Sequence, residues 1–253
     1  MDDLHVYLCD GVLTVAMNRP SKQNGITLEM MLKMINSLII AGQDNNVKAV
    51  VLRGVGDFFS SGFDFNSFFY PGFDTLEQAV FEFRNFVAAL IDFPKMLVAV
   101  VNGPAIGMGC TILALCDFVY ASDDVYFHTP FSMLGLVAEG CSTYTFPKVF
   151  GAAKAARLLY LSESMSVQEA AHHGFVTCVF PKEEMEEHVQ QKLNHLVSLP
   201  IESLIQTKKL IRKWENTNLH CANDEEVEAL IERFNSDDFF SAFAKTTKIK
   251  NKL

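Results

Sequence analysis

Through its first two thirds the chain switches repeatedly between apolar runs of strand length and apolar positions at helical period. HVYLCDGVLTVAMNR predicts a hairpin of two short strands turning at Asp10-Gly11. Thr27, with Glu29 close behind, has the composition of a helix N-cap and opens an apolar-periodic helix through about Ala41. KAVVLRGVG predicts a buried strand, and KMLVAVVNGPAIG another that ends in a glycine-rich turn. FVYASDDVYFHT predicts a further pair of strands. After Gly151 the pattern turns helical, in AAKAARLLYLSE, in SVQEAAHHG and in amphipathic stretches from Lys182 to Arg233. Strand–helix units followed by helices point to an α/β fold with a helical C-terminal region. With no fixed-period repeat and no linker, residues 1–253 are expected to form one domain.

Composition narrows the function. A net charge of −9 without a basic stripe argues against a nucleic-acid partner. The longest apolar run, around Met96–Val101, is strand-sized, so no membrane partner is expected. The six cysteines are scattered, with no CxxC pair, and read as reduced thiols. The acidic MDDLHVYLCDG start has neither an Arg-rich amphipathic segment nor a signal h-region, so import by a presequence and secretion are not expected. Asn251-Lys252-Leu253 is one residue from the Ser-Lys-Leu peroxisomal address, which makes the peroxisomal import receptor a candidate partner. The other reading is a frayed basic tail on a cytoplasmic protein.

Three features carry candidate chemistry. DFFSSGFDF and GPAIGMGCTIL are glycine-bearing turns at the ends of strands, and two such turns side by side can aim two backbone N–H groups at one oxygen. FHTPFSMLGLVAEGCSTYTFP holds one glutamate, Glu139, in apolar company with no Lys or Arg in the window. Burial raises the proton affinity of such a carboxylate, while a helix beginning near Gly140–Ser142 is expected to favour its anion. Glutamate capping its helix in solvent is the plainer alternative.

NRPSKQNGITLEMM, FSSGFDF, VNGPAIGMGC, CDFVYAS and FGAAKAARLLYLSESMSVQEAAHHGFV occur here in an order and spacing that resemble the crotonase, or enoyl-CoA hydratase/isomerase, superfamily. The resemblance spans nearly the whole chain. It implies a spiral of ββα units over about 1–195, a helical tail over about 196–253 for trimerisation and for covering CoA, and assembly as a homotrimer or dimer of trimers. It also implies acyl-CoA thioester substrates whose enolates are held by two backbone N–H groups, here those of Phe63 and Met108. No metal or redox cofactor is implied, coenzyme A being part of the substrate.

Hydratases of the family resemble one another in two water-handling glutamates. Thr111 and Phe131 stand at those positions here. LGLVAEGCSTYTFP is instead similar to the peroxisomal-type Δ3,Δ2-enoyl-CoA isomerases, in which the corresponding glutamate is the sole base. This implies that Glu139 moves a proton from C2 to C4 of a 3-enoyl-CoA, in the degradation of unsaturated fatty acids. Dienoyl-CoA isomerisation, thioester hydrolysis and a non-catalytic acyl-CoA-binding or interaction module are the alternatives. For CoA and acyl binding the resemblance points to Ser61, Gly62, Gly107 and Phe131, and with a one-residue slip in register to Arg19, Lys22 and Lys245. Asp64 is expected chiefly to tie down its own turn. Phe58, Phe59, Phe63, Phe65, Phe68, Phe69 and Tyr70 form an aromatic cluster that either lines an acyl channel or fills core.

Overall fold

The computed structural model describes residues 2–65 and 76–250; Phe68, Phe69, Tyr70 and Asn251-Lys252-Leu253 lie outside the described residues. Strands β1 (Leu4–Cys9) and β2 (Val12–Met17) form the expected hairpin, with Asp10 and Gly11 both at positive φ (48° and 82°). That pair of conformations matches the twist of the flanking strands, which explains an Asp-Gly turn. Helix α1 (Leu28–Gln43) is capped by Thr27, whose Oγ1 accepts from the Met30 N–H at 3.2 Å. Strand β3 (Ala49–Gly54), helix α2 (Leu76–Asp92) and strand β4 (Met96–Val101) follow. Next come β5 (Ala105–Ile106) and the one-turn helix α3 (Met108–Thr111), then β6 (Phe118–Ser122) and β7 (Tyr126–His128). The remainder holds α4 (Ser142–Phe150), α5 (Ala152–Leu159), β8 (Met165–Ser166), α6 (Val167–His172) and β9 (Cys178–Phe180). Helices α7 (Met185–Ser198), α8 (Ile201–Arg212), α9 (Asn216–Phe234) and α10 (Asp237–Lys250) close the described chain.

The larger sheet runs β1-β2-β3-β4-β6-β9, parallel throughout except for the hairpin. A smaller sheet joins β5, β7 and β8, and isolated bridges Ile26–Phe63 and Ser60–Ala105 extend the same layer. After β4 and β6 the chain thus steps from the large sheet into the small layer, and the segment after β3 makes the same step through single bridges. This is a spiral of ββα units. Two corrections to the sequence reading follow. The FVYASDDVYFHT strands exist but do not pair: β6 lies parallel between β4 and β9, while β7 pairs with β5 and β8. The stretch after Gly151 is also not wholly helical, because β8 and β9 interrupt it.

The sheet is buried on both faces. One face meets α1 and α2 around Val50, Leu52, Leu97 and Phe86. Val51, Val98 and Tyr120 on the other face meet Met185, Val189 and Leu193 of α7. Helix α9 packs along α2 and against α4, and α10 lies on α9 and on the turn at Ser132–Leu134. The helical tail therefore covers the loop that carries Glu139. No helix among the described residues is long and apolar enough to cross a membrane.

Candidate active site

Gly62 and Gly107 bring the two glycine turns into contact. Both lie at positive φ (88° and 54°), where L side chains are strained. A Cβ on Gly62 would sit 2.8 Å from the Ile106 carbonyl oxygen and 3.4 Å from the Met108 nitrogen, so only glycine permits the approach. Ile26 donates to the Gly62 carbonyl at 2.8 Å and accepts from the Asp64 N–H at 2.9 Å. In an extended segment the intervening residue faces the other way, so the Phe63 N–H is directed to the side opposite Ile26. Met108 is the first residue of α3, where an α-helix leaves N–H groups without intrahelical partners. Because α3 has only four residues before a 3-10 turn, the helix-dipole contribution at this turn is small.

The turns open on a cavity of about 100 Å³. Ser61, Gly62, Phe63, Gly107, Met108 and Phe131 line it, together with the apolar side chains of Val80, Phe83, Leu230 and Phe234. Glu139 lies on the same cavity and is 7% exposed. Its loop needs two consecutive special conformations. Gly140 (φ 68°) could not carry a Cβ, which would collide with the Thr111 hydroxyl, and Cys141 holds a left-handed conformation (φ 61°).

Thr111 donates its hydroxyl to Glu139 Oε1 at 3.1 Å and also lies 3.3 Å from the Met108 carbonyl oxygen. Burial pushes the Glu139 carboxyl up to about 8; the nearby Glu226 carboxylate adds to the rise, and the Thr111 hydrogen bond opposes it. At the start of α4 the Ser142 N–H donates to the Glu139 carbonyl oxygen at 3.2 Å and not to its carboxylate. The N–H groups of Cys141 and Thr143 donate to Glu226 on α9, at 2.7 and 2.9 Å, which corrects the expectation that this helix start favours the Glu139 anion. Glu226 was not singled out in the sequence. Its signal is an acid at four-residue spacing from Leu230 and Phe234, on the apolar stripe of α9.

The residues expected to hold CoA separate into two groups. Arg19 is engaged within the protein: it donates to Asp64 at 2.9 Å and to the Gly25 carbonyl at 2.6 Å, and it lies 3.2 Å from Asp3. Asp64 thus ties down its turn through an ion pair. Lys22 ends a short 3-10 turn and is exposed, as is Lys245 on α10. Of the aromatic cluster, Phe63 and Phe65 line the cavity, whereas Phe59 is fully buried core.

The geometry has parallels in known proteins. Residues 9–250 match the family model described as enoyl-CoA hydratase/isomerase. Enoyl-CoA delta isomerase 2 of Rattus norvegicus is 44% identical over 246 residues, covering 96% of this chain and 63% of the rat protein. The chain therefore spans under two thirds of that relative's length. Enoyl-CoA delta isomerase 3, peroxisomal, of Mus musculus is 41% identical over 243 residues, 95% of this chain and 76% of the mouse protein. The crystal structure of an enoyl-CoA hydratase/isomerase from Pseudoalteromonas atlantica T6c superposes with a TM-score of 0.91 at 30% identity, covering 98% of this chain and 97% of that one. By fold and by sequence, the chain belongs to the enoyl-CoA hydratase/isomerase family.

Proposed function

We propose that the chain is a Δ3,Δ2-enoyl-CoA isomerase in which Glu139 is the sole base. One observation carries the reading: a single buried carboxylate shares an apolar cavity with two abutting glycine turns, while Thr111 and Phe131 stand where the family's hydratases have glutamates. Glu139 takes a proton from C2 of a 3-enoyl-CoA thioester, and the electron pair moves onto the thioester oxygen. The Phe63 and Met108 N–H groups hold that dienolate oxygen, an interaction that strengthens as charge develops. The protonated Glu139 then gives the same proton to C4, and the double bond comes to rest between C2 and C3.

Thr111 suits both states of the shuttle. Its hydroxyl donates to the Glu139 anion; when Glu139 is protonated it can accept from the carboxyl and donate to the Met108 carbonyl instead. The named mouse relative supports a peroxisomal setting, in which the chain would serve β-oxidation of unsaturated fatty acids, and the resemblance supports a homotrimer or dimer of trimers.

The test is conversion of a 3-enoyl-CoA to its 2-trans isomer, with hydration of 2-enoyl-CoA measured in parallel, by the wild type and Glu139→Gln. Expected are isomerisation without hydration, and a loss of several orders of magnitude in the variant with CoA-ester binding retained. Binding without turnover by the wild type would favour the non-catalytic module, and equal activity of the variant would assign the base elsewhere.

A further inference from the structure

The proposed reaction leaves one buried carboxylate unused. Glu226 is 4% exposed, although it belongs to the acidic run Asp224-Glu225-Glu226. Its Oε2 accepts from the Cys141 N–H at 2.7 Å. Its Oε1 accepts from the Thr143 N–H at 2.9 Å and from the Thr143 hydroxyl at 2.6 Å. One side chain on α9 thereby closes the start of α4 and clamps the two-residue turn, Gly140-Cys141, that immediately follows Glu139. That turn has positive φ at both residues, and a non-glycine residue there costs on the order of 1 kcal/mol unless its surroundings hold it.

We propose that Glu226 is a positioning residue for the base: its three hydrogen bonds fix the left-handed turn that carries Glu139, and its buried negative charge stands beside Glu139 through both proton transfers. The inference rests on the reading of Glu139 as the base.

The surroundings leave that charge little compensation. On α9 itself Asp224 is paired with Arg84 of α2 at 2.5 Å. The thiol of Cys110 on α3 faces Glu139 and that of Cys141 in the turn faces both Glu139 and Glu226, both driven upward by burial and so neutral. At the far side of α4, Lys148 is paired with Glu215 at 2.6 Å. Burial pushes the Glu226 carboxyl up to about 7, and its three donors oppose the rise, so it ionises before Glu139. Glu139, whose side-chain donor among the described residues is the Thr111 hydroxyl, then titrates against an existing neighbouring charge. The consequence is a base that holds its proton firmly enough to carry it from one carbon to the next.

The test compares wild type, Glu226→Gln and Glu226→Asp in the pH dependence of kcat/KM on a 3-enoyl-CoA, with kcat and KM separated. A parallel carboxyl-carbon NMR titration of Glu139 needs no turnover. In Glu226→Gln the charge is gone, and an amide N–H faces the Cys141 N–H. Expected are a fall in kcat of about tenfold or more with KM within about threefold, and movement of the acid limb and the Glu139 titration to lower pH by about one unit. Glu226→Asp keeps the charge, so its limb stays with the wild type while kcat recovers only in part. An unmoved limb and titration in Glu226→Gln overturn the proposal. If the wild type does not isomerise but the Glu139 titration still moves, the base reading fails and the coupling stands. Should Glu226→Gln not fold, Thr143→Ala removes one hydrogen bond and no charge. A several-fold loss of kcat at constant KM is then expected, and unchanged kcat overturns the clamp.

Discussion

Glu139 lowers the stability of the fold in the form that the proposed reaction needs. A carboxyl whose folded value is raised from 4.5 to about 8 contributes its full stability below pH 4.5, and the contribution is lost as pH rises toward 8. Glu139→Gln is therefore expected to be more stable than wild type at pH 7.5, by on the order of 1–3 kcal/mol, with the difference vanishing near pH 5. Thermal unfolding of both proteins across that range checks the prediction; a difference independent of pH would contradict it. Thr111→Val keeps the side-chain shape and removes the donor. It is expected to raise the Glu139 value further, so the acid limb of kcat/KM moves to higher pH and activity at pH 7 falls by on the order of tenfold. An unmoved limb in that profile would count against the hydrogen bond's role. Glu139 was legible because no Lys or Arg accompanies it between Phe127 and Pro147. Glu226 was not, since its partners lie more than eighty residues away and its acidic neighbours read as a solvated face.

At the scale of elements, α9 joins the parts of the site. Glu226, Leu230 and Phe234 recur every four residues on one face, so the helix that holds the Gly140-Cys141 turn also walls the cavity. Leu230→Ala is expected to cost about 2–5 kcal/mol, since the vacated volume collapses only in part. It also enlarges the cavity and should shift kcat/KM toward bulkier acyl chains. Denaturant midpoints and a chain-length series measure the two effects, and a stability loss with unchanged chain preference would remove Leu230 from the substrate's path. Elements with strong local chemistry were legible: the Asp10-Gly11 turn, the Thr27 cap and the apolar runs of β3 and β4. Strands β8 and β9 were not, because two or three residues show no period. The separation of β6 from β7 was hidden for another reason. Asp123-Asp124 looks like a hairpin turn, but Ser122 donates to Asp124 at 2.6 Å within it and long-range pairing decides the sheet.

Over the whole molecule, large apolar side chains remain uncovered at one end of the helical region. Leu210, Ile211 and Trp214 are 67–75% exposed, a grouping that marks a protein contact more often than a free surface. The sequence resemblance implies a homotrimer or dimer of trimers, and on that expectation the wild type is predicted to sediment as a trimer or larger. Leu210→Glu combined with Ile211→Glu is expected to lower the mass toward that of the monomer. A monomeric wild type in sedimentation would contradict the assembly. Assembly was not readable from the pattern along the chain, because an amphipathic helix records that a face is apolar and not what covers it.

The central claim is that one carboxylate carries one proton across the substrate, and isotope transfer tests it directly. A 3-enoyl-CoA bearing deuterium at C2 would be converted in ordinary water in a single turnover, and the hydrogen arriving at C4 identified by mass spectrometry. Because Glu139 is buried, the account predicts a substantial fraction of product with the C2 deuterium now at C4. Product carrying only solvent hydrogen at C4 would show that a second acid or water delivers the proton, and would contradict the single-base shuttle.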